Sequence, residues 1–420
     1  VVFTLNWISD PKNGVKVQRN VNWIKEAVKV DQFTVDLHMK KPFPQAFEFL
    51  SGPLTIYPNE YYAKVGLKGM HKQPIGTGPM KVVSVKTAEE YVFERNDDYN
   101  WGSPKGKAQA AKLTVREIAD VQTQVAELLA GGIDWTADIT ADHVDQIGGL
   151  PGFKALQAGT MRTGYLGFDA AGRGNFEPTT KLKVRQAMAM AIDREALVSN
   201  LIRGNARVIH TPCYPTQFGC DANSAVKWPH DPAKAKQLLA EAGYPNGFEI
   251  DFYTFRPADW AEAIMGDLAK VGIKVKLLAQ PKAKFFPKVL APNLDYSMYL
   301  LGWTPGSLEA GNVLRDLFYC PRASKGEALW AKESRNKVGK GKFNIGGYCN
   351  PALDALTDKI LSETNMKMRD EMITKAMGIT VDDAAYVPLH QQALAWGVAK
   401  GVHVKQRGDN VFDWRYVMID

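Results

Sequence analysis

Residues 248–301 read FEIDFYTFRPADWAEAIMGDLAKVGIKVKLLAQPKAKFFPKVLAPNLDYSMYLL. Phe248 to Phe255 is an apolar, aromatic-rich run of strand length, and Asp259 to Val271 carries its apolar residues at helical spacing. A second strand follows at Ile273 to Leu278, a helix near Phe285 to Leu290, and a third strand at Tyr296 to Leu301. Strands that alternate with helices in this way predict a mixed α/β domain, extending over roughly residues 168–390.

Outward from this stretch the pattern continues. Upstream, Asp231-Pro232 is an N-cap and first-turn pair, and its helix runs through Leu238-Leu239 to Gly243. A long helix is predicted from Lys181 to Ile202, ending near Gly204, and a strand at Tyr165 to Phe168. Asp120 to Ala130 reads as a helix stopped by Gly131-Gly132, with a strand at Ile133 to Thr136. Met80 to Val85 and Tyr91 to Glu94 alternate on either side of a turn, as a hairpin does, and Val28 to Leu37 alternates as a strand. Downstream, Ala352 to Leu361 and Met366 to Met377 are predicted helical, and Tyr386 to Leu389 and Leu394 to Val398 extended.

A chain of 420 residues exceeds one compact core, so at least two domains are expected. No window of about 18 apolar residues occurs that could form a membrane-spanning helix. The net charge of +7 is scattered. Its densest stretch, Lys332 to Lys342, lacks interleaved aromatic residues and reads as a solvated hairpin, so nucleic acid is not an expected partner. The 10 Trp, 15 Tyr and 18 Phe fit either a large core or a ligand-enclosing cleft.

The cysteines Cys213 and Cys220 are spaced for a small closed loop, and Cys320 and Cys349 for a longer one. Two disulfides and an oxidising compartment are expected, the alternative being four reduced thiols in a cytosolic protein. No His pair has metal-ligand spacing and no nucleophile elbow is present, so no catalytic set, metal or cofactor is expected. Pro74-Ile75-Gly76-Thr77-Gly78-Pro79 is glycine-rich, but no helix follows it to hold a phosphate.

Several segments, in order, resemble the family 5 extracellular solute-binding proteins, which bind peptides, opines or nickel. They are Val1-Val2-Phe3-Thr4-Leu5-Asn6, Val28-Lys29-Val30-Asp31 with Thr34-Val35, Pro74 to Pro79, and Glu94 to Gly102. Val184-Arg185-Gln186-Ala187 with Ala191-Ile192-Asp193-Arg194, Asp231 to Ala235 with Leu238-Leu239, Gly302-Trp303, and Asn350-Pro351 with Leu353-Asp354 complete the series. The resemblance implies a two-lobed periplasmic-binding-protein fold (type II, cluster C-like) with mixed sheets and a hinge. Residues 1–166 and 391–420 would form lobe I and residues 167–390 lobe II. It also implies an N-terminal segment ahead of Val1, where an export signal would lie.

The function implied is the periplasmic or membrane-associated solute-binding component of an ABC importer. It would act as a monomer, holding a peptide-like or opine-like carboxylate and docking on permease subunits, with a secreted hydrolase of peptides or glycosides as the rival reading. By resemblance Arg256 stands where dipeptide binders pair a guanidinium with the peptide carboxylate. The family's ammonium-binding aspartate falls at Gly306, beyond Trp303-Thr304, so recognition of a free α-amino group is not expected. Glu309 could substitute only if its loop turns inward. Phe255 and Trp303 are candidate cleft walls, with Trp135 and Asp138 facing them from lobe I.

Overall fold

The alternation in residues 248–301 is realised as three parallel strands of one sheet with helices packed on both of its faces. The computed structural model describes residues 1–15, 17, 20–104, 106–220, 228–291, 296–321, 340–409 and 411–420. In chain order the strands are β1 (Ile24–Lys29), β2 (Val35–Met39), β3 (Met80–Lys86), β4 (Glu90–Arg95), β5 (Lys112–Arg116), β6 (Trp135–Ile139) and β7 (Phe153–Phe168). After these come β8 (Arg207–Val208), β9 (Glu249–Thr254), β10 (Lys274–Ala279), β11 (Met298–Trp303), β12 (Tyr386–Ala399), β13 (Val402–His403) and β14 (Met418–Ile419).

The main sheet has seven strands in the order β10-β9-β11-β7-β12-β6, with β8 paired to β12. β10, β9 and β11 are parallel, whereas β7, β12 and β6 are antiparallel to their neighbours. Because side chains alternate along a strand, each strand feeds two cores. Leu166, Phe168, Ile250, Phe252, Met298, Leu300 and Val387 face one core, shared with the helices Leu182–Ala191, Pro232–Glu241 and Ala258–Ala269. Tyr165, Tyr253, Tyr299, Leu301, Trp303 and Tyr386 face the other, shared with Lys282–Val289, Pro351–Ile360 and Met366–Asp382. The helix after β9 therefore packs on one face and the helix after β10 on the opposite face. In open α/β sheets, ligands enter beyond the carboxyl ends of strands at such a divergence.

β7 and β12 run side by side from Phe153 and Ala399 to Gly167 and Tyr386. At one end they are flanked by β6, at the other by β11. Their register slips between Pro388 and His390 and again between Gln391 and Ala393. Sequence periodicity divides this segment into two short strands, because His390-Gln391-Gln392 interrupts the apolar pattern. The polar residues are instead absorbed inside one continuous strand, where the Gln391 amide donates to the Thr160 carbonyl at 2.6 Å and the Thr160 hydroxyl donates to the Gln392 carbonyl at 2.7 Å.

Two other expectations are corrected. The stretch Val28 to Leu37 is not one strand but the hairpin β1–β2. Asp31 makes the turn by accepting hydrogen bonds from the amides of Phe33 and Thr34 at 2.7 and 2.8 Å, which leaves Phe33 91% exposed. The predicted long helix from Lys181 ends at Ala191, where Ile192 becomes extended. A new turn starts because the Asp193 carboxylate caps the Ala196 amide.

Residues before β6 form smaller units. Leu5, Trp23, Ile24, Ala27 and Phe49 make one core, and β3-β4-β5 form an antiparallel sheet. Both expected disulfides are present, Cys213–Cys220 with Cα atoms 5.8 Å apart and Cys320–Cys349 at 4.6 Å. The basic stretch Lys332 to Lys342 lies mostly outside the described residues.

Candidate functional site

Arg256 stands two residues beyond the end of β9, and Thr304 immediately beyond the neighbouring parallel strand β11. The Arg256 amide donates to the Thr254 hydroxyl at 2.8 Å, turning the chain sharply at the strand end. Its guanidinium lies 4.9 Å from the ring of Phe255, which is itself wedged against Phe285 and Phe286 at 4.9 and 5.4 Å. Phe255 thus supports the arginine, a cation–π arrangement that also restricts its rotamers.

The main-chain register creates a bare strip beside it. Gly302 on β11 pairs with Gly164 on β7, which pairs with His390 on β12. A Cβ placed on Gly302 would lie 2.5 Å from Arg256 Nη2 and 3.1 Å from Arg162 Nε. One placed on Gly164 would lie 2.3 Å from His390 Nε2. Neighbours across a sheet share a face, so Arg162, Arg256 and His390 gather on one face over two residues that have no side chain. The His390 ring meets Trp260 edge-on at 5.4 Å, on the side of the helix Ala258–Ala269.

Two guanidinium groups therefore approach each other over Gly302, and their like charges repel. Burial, and then the Arg162 charge, push Arg256 down to about 9, so it remains a cation at neutral pH. Burial also lowers Arg162, opposed by the charge of Asp138. His390 is driven down to about 3 by burial and by the two arginines, Arg256 foremost, and is neutral. Among the described residues no carboxylate forms an ion pair with Arg162 or Arg256. The arrangement is suited to an anion.

The expected site residues separate into two groups. Arg256 and Phe255 belong to the cluster, and Asp138 is close enough to act on Arg162. Asp138 is exposed at the end of β6 with a left-handed backbone (φ 57°), a conformation Asp tolerates better than most residues. Trp303 lies on the opposite face of β11, in the core beside Phe343 at 5.1 Å between ring centres. Trp135 stacks with Trp396, Phe412 and Trp414 at 5.4, 5.5 and 5.8 Å. Thr304 and Gly306 are exposed, and the Gly306 amide donates to Asn312 Oδ1 at 3.2 Å. Glu309 is buried and ion-paired with Arg369 at 3.1 Å. Sequence reasoning missed Arg162, because only the last turn of pattern in β7, Tyr165 to Phe168, read as a strand; the register with β11 is what gives it a role.

The sequence matches the family described as bacterial extracellular solute-binding proteins, family 5 (middle), over residues 1–325. Heme-binding protein A of Haemophilus influenzae is 27% identical over 87% of this chain, which spans 64% of that relative's length. Di/tripeptide-binding protein 1 of Pseudomonas aeruginosa is 24% identical over 89% of this chain and 67% of its own. The ABC transporter-associated periplasmic binding protein DppA of Helicobacter pylori, solved with the peptide STSA, superposes with a TM-score of 0.76 at 23% identity, covering 98% of this chain and 80% of that one. The fold is thus the two-lobed one of periplasmic binding proteins.

Proposed function

Because the chain belongs to the bacterial extracellular solute-binding proteins of family 5, we propose that it is the solute-binding component of an ABC importer, carrying a peptide-like or opine-like carboxylate to a membrane permease. The observation that carries this reading is the pair Arg162 and Arg256, two cations held together over Gly302. A guanidinium can offer a carboxylate two parallel hydrogen bonds, and a bound anion would relieve the repulsion between the pair. The Haemophilus relative is named for heme and the Pseudomonas relative for di- and tripeptides. Peptides end in a carboxylate, which fits the cluster.

In this reading residues 1–166 and 391–420 form one lobe and residues 167–390 the other. β7 and β12 would be the strands that cross between them, with the slips around Pro388 to Ala393 as the compliant points. Solute would stabilise closure through contacts available only in the closed form, and the closed monomer would dock on the permease outside the cytoplasm. Glu309 is engaged by Arg369, which supports a ligand that needs no ammonium partner at this loop.

The test is a thermal-shift screen of the full protein with dipeptides, N-acetylated dipeptides, opines and sugar acids. A ligand at 100 times its Kd stabilises the folded state by about 2.7 kcal/mol. The expected result is a shift with a carboxylate lacking a free α-amino group, lost in Arg256→Ala. Turnover of a peptide or aryl-glycoside panel would favour the hydrolase reading instead.

A further inference from the structure

We infer that the Arg162–Arg256 pair selects a ligand with two negative charges at one end, a dicarboxylate or a phosphate monoester, over one ending in a single carboxylate. The inference rests on the solute-binding reading above and goes further, to the charge of the ligand.

Both guanidinium groups reach the space over Gly302. They bring two positive charges and ten N–H donors between them. A lone carboxylate carries a single negative charge, so between two guanidinium cations it leaves one buried positive charge uncompensated. Asp138 is the acidic group that acts on Arg162, but it is exposed, so solvent screens it. His390 adds no charge, since it is held neutral beside the two arginines. The glycine strip matters because any side chain at Gly302 would strike Arg256. It lets the two forks lie side by side on the sheet, where a second anionic group can sit between them.

Isothermal titration of the full protein with Ala-Glu and Ala-Gln, both N-acetylated so that no free α-amino group is present, tests this, because the two dipeptides differ by one carboxylate at the C-terminal residue. Ala-Glu is expected to bind ten- to a hundredfold more tightly than Ala-Gln, as a charge-assisted pair implies. In Arg162→Gln that ratio should fall towards one. The melting temperature of the unliganded variant should equal or exceed that of the wild type, because a repulsion has been removed. Arg162→Lys, which keeps the charge but not the fork, should retain part of the ratio and guards against a folding defect in Arg162→Gln. Glycerol 2-phosphate separates the two chemistries: its affinity should rise as pH passes about 6, where the second phosphate proton is lost, whereas that of Ala-Glu should stay flat. Equal affinities for Ala-Glu and Ala-Gln in the wild type, or an equal loss of both in Arg162→Gln, would overturn the inference and leave the solute-binding reading intact. If no carboxylate or phosphate binds the wild type, both fall.

Discussion

Glu309→Gln tests whether a buried carboxyl in the loop after β11 makes stability depend on pH. Glu309 is 2% exposed, and its carboxylate lies 3.1 Å from Arg369 Nε. Burial pushes its pKa up from an ordinary 4.5 to about 7, with Glu48 adding to the rise and Arg369 and Gln45 opposing it. A carboxyl whose folded pKa is raised favours the folded state while it is protonated. That contribution is complete below pH 4.5 and disappears as pH rises through about 7. At 1.36 kcal/mol per pH unit, the gap corresponds to about 3 kcal/mol. Glutamine has nearly the same shape and cannot ionise. The stability of Glu309→Gln relative to wild type should therefore rise by about 3 kcal/mol between pH 4.5 and pH 8.5. Urea denaturation at four pH values across this range measures it. A difference between the two proteins that stays constant with pH would refute the reasoning.

Further outcomes are expected elsewhere. Gly346→Ala should cost more than about 3 kcal/mol, because its Cβ would lie 1.9 Å from the Phe168 carbonyl oxygen and neither backbone can yield. Gly266→Ala, on the exposed side of the helix Ala258–Ala269 with open space around it, should instead stabilise by about 1 kcal/mol; chemical denaturation compares the two. Replacing Cys320 and Cys349 by serine should cost about 3.6 kcal/mol, and replacing Cys213 and Cys220 about 2.4 kcal/mol, since the bridges span 29 and 7 residues. His390, lowered to about 3 by burial and then by Arg256, favours the fold above pH 6.5 and ceases to as pH falls towards 3. Nitrogen-15 NMR should find its ring neutral down to pH 5, and an inflection near 6.5 would contradict the packing.

The α/β character was legible in residues 248–301, because apolar strands and amphipathic helices each write a local pattern. β9 falls within its predicted segment, β10 and β11 overlap theirs but run on to Ala279 and Trp303, and Cys213–Cys220 and Cys320–Cys349 pair as their spacing suggests. Local pattern failed where a single side chain ends an element, as Asp31 does in the β1–β2 turn and Asp193 at the break after Ala191. It also failed in β12, where a polar residue inside the strand is held by another strand 231 residues away in sequence, as the Gln391 amide is by the Thr160 carbonyl.

The candidate site divides along the same line. Arg256 could be picked out by its place after a strand and by resemblance, both properties of the chain read in order. Arg162 could not, since nothing within its own segment marks it. Its significance comes from Gly302 and Gly164, which become neighbours only when β11 and β7 pair in one register. Trp303 was a candidate wall by position, yet strand alternation sends it to the face opposite Arg256. By itself the sequence determined the α/β alternation of residues 248–301, the disulfides and the family, because these rest on local periodicity, cysteine spacing and ordered motifs. Which charges meet was decided only by tertiary structure, because Coulomb interactions depend on distances in space that the register of paired strands sets.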